Sequence, residues 1–454
     1  MVGIGGVGMS AIAEILLERG FDVSGSDAAA SVAVERLRAA GATVFVGHAA
    51  PQVGSADLLV VSSAVPADNP ELGEAARRAI PVVGRGAMLA ELAASRRTVA
   101  VAGSHGKTTT TSMIAVGLEG AGVDPTAVIG GRVRRLGGNA RVGRGPLMVV
   151  EADESDRSFL HLSPEVAVIT NVDDEHLDAY GDMAQLEEAF AAFAARVRPG
   201  GCVVACADDA RLRRLLGGVS APLLAYGIDE PSAAVRARDV TLAAGGSGCR
   251  VTVRGAPARD EVELTLGVPG RHNLQNALAA MTVAVRLGLP LAPVAAALAR
   301  FEGAERRFEH HGEAGGVRVV DDYGHHPTEV AAAIETARLG APGRVVVVFQ
   351  PHRYTRTLRL RDRFGPALAL ADAVILTEVY AAGEAPVAGA TSGAIAAAVE
   401  AASSIPVRCV GSLDAAVDAA VATARPGDVV LTLGAGTVGA IAPRIVRSLE
   451  GRAS

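Results

Sequence analysis

Short β-branched runs ending in Gly or Asp recur along the chain, each followed by an alanine-rich stretch with helical spacing. The clearest are "DLLVVSSAV", "TVAVAG", "LMVVEADES", "VAVITNV", "RVVVVFQ", "AVILTEV" and "DVVLTLGAG". Continuous apolar strands alternating with helices are the pattern of parallel sheets covered on both faces, so an α/β fold is expected. From about 235 to 268 polar and apolar positions alternate instead, which predicts antiparallel strands in the middle of the chain. Two breaks in texture suggest boundaries. "ELAASRRTVAVAG" closes one strand–helix series and opens another near 96, and "LARFEGAERRFEHHGEAGGVRVV" is a charged, glycine-containing interruption near 303. Three α/β domains are expected, over 1–96, 97–303 and 304–454, with no fixed-period repeat.

Composition narrows the classes. At 454 residues, half of them hydrophobic, the chain exceeds one ordinary core. Aromatics make up 3% and there is no Trp, which argues against stacking platforms for bases. A net charge of −6 with interspersed signs gives no basic footprint, so no nucleic-acid partner is expected. No apolar run approaches the roughly 18–20 residues of a membrane span, and no signal-peptide pattern is present. A cytoplasmic protein without membrane insertion is expected. Cys202, Cys206, Cys249 and Cys409 lack metal-site spacing and read as reduced thiols. Among the 43 basic residues only Lys107 is a lysine. Arginine serves nearly every surface role of lysine, so the one that remains is informative.

The N-terminal "MVGIGGVGMSAIAEILLERGFDVSGSD" matches G-x-G-x-x-G at Gly3, Gly5 and Gly8, with Asp27 about twenty residues on. Such a turn presents backbone amides and a helix dipole to a diphosphate, which admits a nicotinamide dehydrogenase. The motif is weak, because Gly434, Gly436 and Gly439 match it too and read as turn glycines. Little of a first strand precedes the glycines, consistent with a few missing upstream residues.

"TVAVAGSHGKTTTTSMIA" is more specific: a strand, a loop and a helix in the order a phosphate-binding loop requires. Amides from Gly103 through Ser104, His105 and Gly106 to Lys107 would wrap phosphate oxygens, with the ammonium on the β and γ phosphates and the Thr108 hydroxyl on Mg²⁺. Val101 stands where the usual longer loop has its first glycine. The strand "LMVVE" ends in Glu151, placed to face Mg²⁺, and "NVDDEHLD" carries His176, a softer ligand. Asp153, Glu154, Asp156, Asp173 and Asp174 read in part as a solvated acidic face. In the last third, "VVDDYGHHPTEV" and "VVFQPHRYTRT" follow strands, where α/β sheets build ligand sites, and Arg353 and Arg356 offer forks for carboxylate or phosphate.

Together with "VVSSAVPADNPEL", "VEADESDRSF", "GRHNLQNALAA", "RRFE" and "VYAAGEAP", these segments closely resemble the Mur ligases, in the right order over nearly the whole chain. The resemblance implies a Rossmann-like N-terminal domain for a UDP-sugar, a central P-loop ATPase and a Rossmann-like C-terminal domain for an amino acid. It implies ATP- and Mg²⁺-dependent attachment of L-alanine to UDP-N-acetylmuramate. By the resemblance Lys107, Thr108 and Thr109 serve the ATP phosphates, with Thr108, Glu151 and His176 at the metal. Asn273 and Asn276 would lie near the adenine, with Arg307 and Asp322 reaching the nucleotide. Tyr323, His325, Arg353 and Arg356 would surround the alanine, with Lys107, His325 and Arg353 catalytic. Gly5, Gly6, Gly8, Ser10, Asp27, His48 and Ser63 would hold the UDP moiety. Ser104 replaces the commoner Thr, and "GAGTVG" replaces a more acidic ending. Some Mur-type ligases place a carbamylated lysine at the second Mg²⁺, a device this chain has no second lysine to supply.

The chemistry so implied passes the γ-phosphoryl group to the lactyl carboxylate, and the alanine amine then attacks the acyl phosphate. His325 is a candidate to take the amine proton, and Arg353 or Arg356 to hold the alanine carboxylate. Ligands drawn from separate domains imply closure before chemistry. Open alternatives are attachment of a ready-made peptide to the same sugar, the nicotinamide dehydrogenase, and a P-loop ATPase without ligase activity. Either a monomer or a homodimer is compatible with the sequence.

Overall fold

The computed structural model describes residues 1–255 and 261–453. It divides into two compact units. The first comprises Met1–Asp239, Cys249–Thr265 and Gln275–Phe301, and the second Val240–Gly248, Leu266–Leu274 and Glu302–Ser454.

In the first unit, Ser24–Asp27 pairs in parallel with Thr43–Val46, and Leu59–Val61 with Val82–Gly84. Val2 joins the two pairs by parallel bridges to Ser26 and Val61. Its amide donates to Val60 O at 2.8 Å, and Ser26 N donates to Met1 O at 2.9 Å. One fully buried residue therefore takes the place of a central strand, and the glycine turn leads straight into the helix Val7–Glu18.

Further along, in a ten-stranded sheet, Arg97–Ala102 is an interior strand flanked in parallel by Leu147–Glu151 and Val166–Ile169. Val101 is level with Glu151, and Ala102 with Ile169, so the loops after all three strands emerge side by side. The 235–268 stretch supplies Val235–Ala243, Gly246–Val253 and Val262–Leu266, neighbours at one edge of this sheet. The first pair is joined by two residues and can only run antiparallel, as expected from its alternation. Val235–Ala243 nonetheless pairs in parallel with Leu223–Gly227, which joins the hairpin to the parallel sheet.

The helix Lys107–Gly120 is buried from Thr108 to Leu118. Four consecutive threonines are tolerated there because their hydroxyls find partners inside. Thr111 Oγ1 donates to Lys107 O at 2.8 Å, and Thr110 Oγ1 to Asn276 Oδ1 at 3.1 Å.

The second unit carries a six-stranded sheet in the order Glu309–Ala314, Val317–Asp322, Val429–Leu433, Val345–Phe349, Ala373–Leu376, Val407–Cys409. Only the first pair is antiparallel. Val345–Phe349 is wholly buried, as its unbroken apolar run requires, and its apolar side chains contribute to cores on both faces.

Candidate active site

The strand–loop–helix at Arg97–Gly120 fixes Lys107. A Cβ on Gly103 would lie 1.9 Å from Thr170 Oγ1, so only glycine lets the loop turn this close to the neighbouring strand end. Thr170 Oγ1 donates to His105 O at 2.6 Å, and His105 N to Asn171 Oδ1 at 2.8 Å. Ser104 Oγ donates to Asp173 O at 3.2 Å and accepts from Asp173 N at 2.8 Å. The loop is thus held by the segment that follows Val166–Ile169. Asn276 lies against it from the helix Arg271–Arg286, near Gly106 and Thr110.

The three donors of the Lys107 ammonium reach Gly103 O at 2.6 Å, Ser104 O at 3.1 Å and Glu154 Oε1 at 2.7 Å. Glu154 is 1% exposed, and its Oε2 is buried without a hydrogen-bond partner. Burial pushes its carboxyl up to about 7, against the pull of the Lys107 charge. Lys107 itself is held above the ordinary lysine value: burial opposes its charge, and Glu154 and Asp153 more than offset this. Thr108 Oγ1 donates to Glu151 Oε1 at 3.0 Å, and Gly130 N to Glu151 Oε2 at 2.6 Å. His176 Nε2 is 3.7 Å from Glu154 Oε1. Thr109 is buried beside Thr108. Lys107 and His176 therefore meet at Glu154, a member of an acidic run that reads in sequence as partly solvated, while Thr108 and Glu151 pair with each other at the start of the Lys107 helix.

The N-terminal glycine turn faces Asp27, whose Oδ2 accepts the Gly5 amide at 2.8 Å. Gly6 follows as the residue capping the first helix. Gly8 packs on Arg85, which pairs with Asp156 at 3.0 Å and Asp153 at 3.3 Å. Ser10 is buried, and its Oγ accepts from Asn139 Nδ2 at 3.2 Å. His48 Nδ1 is 2.9 Å from the buried carboxylate of Glu71, and Ser63 is exposed beyond Leu59–Val61. Arg85 and Glu71 carried no motif, since an arginine after a strand and a glutamate in a helix are ordinary in sequence.

The second unit gathers the other predicted residues at the carboxyl ends of its strands. Asp322 accepts from Phe308 N and Gly324 N, each at 2.7 Å, and burial pushes its carboxyl up to about 6 against the Arg307 charge. Arg307 lies over the Tyr323 ring at 5.0 Å. Tyr323 meets His325 edge-on at 5.4 Å, His325 is 5.7 Å from His352, and His352 stacks on Tyr380 at 5.5 Å. Arg356 Nη1 is 3.1 Å from His352 Nδ1, and Arg353 Nε pairs with Glu384 Oε1 at 2.9 Å. Burial, with His325, Arg356 and Arg353 close by, pushes His352 down to about 3. His325 Nδ1 lies 3.1 Å from Tyr323 O, which can only accept, so this nitrogen carries the proton and Nε2 the lone pair in the neutral ring. Asn273 donates to Pro269 O at 2.7 Å. His352 and Tyr380 belong to the same cluster, although in "VVFQPHRYTRT" and "VYAAGEAP" they read as ordinary residues of polar turns. The C-terminal glycine motif serves packing: a Cβ on Gly439 would lie 2.5 Å from the Arg306 side chain, which donates to Gly434 O and Gly436 O.

Three family models match in succession: Mur ligase family, catalytic domain, over 1–97; Mur ligase middle domain over 101–284; and Mur ligase, glutamate ligase domain, over 306–436. The chain is 47% identical to a UDP-N-acetylmuramate–L-alanine ligase of Pelotomaculum thermopropionicum, covering 99% of this chain and 97% of the relative. It is 46% identical to the ligase of the same name from Burkholderia ambifaria, covering 100% and 98%. Among solved structures, the UDP-N-acetylmuramate–alanine ligase of Thermotoga maritima matches with a TM-score of 0.82 at 31% identity, covering 99% of this chain and 98% of that one. A murein peptide ligase of Psychrobacter arcticus matches with a TM-score of 0.72 at 25% identity, over the same shares. With the phosphate loop, the acidic strand ends and the His/Arg cluster each on the matched segments, the chain belongs to the Mur ligase family.

Proposed function

We propose that this Mur ligase joins L-alanine to the lactyl carboxylate of UDP-N-acetylmuramate, using ATP, in the synthesis of the peptidoglycan precursor. Full-length likeness to alanine-adding ligases supports the reaction, and the setting of Lys107 is the single observation that carries its chemistry. A carboxylate resists an amine because it is anionic and lacks a leaving group, so it must first be phosphorylated. Lys107 is a compact point charge inside a loop of amides, suited to neutralise the transferring phosphoryl group where a planar guanidinium fits poorly.

Mg²⁺ fits the residues present. Two hard oxygens, from Thr108 and Glu151, stand 3.0 Å apart, and on the carboxylate that meets Lys107 the buried Glu154 Oε2 has no hydrogen-bond partner among the described residues. Thr108, Glu151 and His176 would hold the ion, which when bound supplies charge neutralisation at the phosphates. Gly103–Thr109 would enclose the phosphates, while Asn276, Asn273, Arg307 and Asp322 would serve the rest of the nucleotide. Gly5, Gly6, Gly8, Ser10, Asp27, His48 and Ser63 would line the UDP-sugar site. Arg353 or Arg356 would hold the alanine carboxylate beside Tyr323, and the Nε2 lone pair of His325 would accept the amine proton. Among the described residues no helix is long and apolar enough to cross a membrane, and we place the reaction in the cytoplasm, with a monomer or homodimer as the working unit.

Substrate labelled with ¹⁸O in the lactyl carboxylate tests the acyl phosphate. One labelled oxygen should appear in each phosphate released. Unlabelled phosphate would contradict the mechanism.

A further inference from the structure

Away from the nucleotide loop, the first unit carries a concavity of about 670 Å³ lined by Arg19, Arg96, Arg97, Arg144 and Arg198, with no acidic side chain in its lining. It lies at the amino ends of Arg97–Ala102 and Leu147–Glu151, whereas Lys107 and Glu151 stand at their carboxyl ends. It is therefore separate from the phosphate site described above.

Arg97 is neutralised by a two-pronged pair with Glu165, 2.7 Å at each oxygen. Among the described residues the other four make no such pair. Asp124, which accepts the Arg144 backbone amide at 2.9 Å, and Glu165 are the acidic groups beside the rim. Backbone oxygens set three of the four guanidiniums in place. Arg96 donates to Gly145 O at 2.6 Å, Arg198 to Ala94 O and Arg96 O at 3.2 Å each, and Arg19 to Leu92 O at 3.5 Å. Each contact uses part of a five-donor fork and leaves donors over. The Arg144 side chain makes no hydrogen bond among the described residues. Burial first, and the adjacent Arg96 charge second, hold Arg19 below the ordinary arginine value.

We propose that this concavity is a second anion site, which binds a diphosphate group across Arg19, Arg96, Arg144 and Arg198. Four guanidiniums without a salt bridge, tempered by the charges of Asp124 near Arg144 and Glu165 near Arg198, exceed the charge of one phosphate, about −1.5 to −2 near neutrality, and planar forks suit phosphate oxygens two at a time. Arg19 comes from the end of the first helix and the others from loops around the large sheet, so a bound diphosphate ties the two parts together.

Calorimetric titration of inorganic pyrophosphate, without Mg²⁺, into full-length Lys107→Ala protein and its Arg19→Gln/Arg144→Gln derivative tests this. One binding event weakened about tenfold or more by the two arginine changes is expected, since each removes charged hydrogen bonds. Arg144→Gln alone disturbs no hydrogen bond of the fold and should weaken binding several-fold, which covers failure of the double variant to fold. GDP in a parallel arm identifies the source: tighter binding than pyrophosphate points to a diphosphate ester, weaker binding to the free ion. Absence of an arginine-dependent event overturns the proposal. So does orthophosphate binding as tightly as pyrophosphate, which leaves no role for the second phosphate.

Discussion

Burial separates Glu154 from the carboxylates beside it in the chain. In sequence "EADESD" is uniformly acidic, and nothing marks which member turns inward. Tyr180 helps to fix it: the fully buried ring sends its hydroxyl to Glu154 O at 2.6 Å, and the side chain then meets Lys107. Lys107 was legible because a strand, a short glycine loop and a helix leave few other uses for a lone lysine. Its partner was not, because partnership across 47 positions is a property of the fold. Lys107→Ala is expected to abolish ligation, and near-normal turnover at saturating ATP would overturn its assignment. Glu154→Gln keeps the shape but removes the counter-charge, so kcat/KM for ATP should drop by about tenfold or more in steady-state kinetics. An unchanged value would make Glu154 a packing residue only.

Apolar strands were readable as elements because β-branched runs buried on both faces have few alternatives. Val2 was not: one residue bridging Ser26 and Val61 has no periodicity to detect. Helix contacts were equally hidden. Gly120, at the end of the phosphate-loop helix, faces Leu291–Leu298 so closely that a Cβ would lie 2.3 Å from Ala297 Cβ and 3.1 Å from Pro293 O. Gly120→Ala should therefore force the helices apart and cost about 1–3 kcal/mol. Gly73, in the helix Pro70–Arg77, has open space around its missing side chain, and Gly73→Ala should stabilise by up to about 1 kcal/mol. Thermal melts of the two variants should move in opposite directions; a common direction would refute the packing argument.

For the whole molecule, acid is the informative perturbant. Burial pushes His272 down to about 4 and His352 to about 3, so both stay neutral in the fold where the unfolded chain would already be protonated. Stability from these residues is complete above the ordinary histidine value of 6.5 and is lost as pH falls from there towards 3–4. Asp322, pushed up from 3.8 to about 6, and Glu154, pushed up from 4.5 to about 7, give the opposite slope in that interval and offset part of the loss. Melting temperature should fall between pH 6.5 and 4, and His272→Asn should flatten that fall. An undiminished slope in the variant would show that His272 titrates normally. The most direct test of the reaction itself is phosphate release from ATP and Mg²⁺ in the presence of UDP-N-acetylmuramate, with the acceptor amine varied. Release stimulated by L-alanine, with matching formation of the alanyl product, is the predicted result. Release that responds to a ready-made peptide and not to alanine, or that needs no acceptor at all, would contradict the assignment.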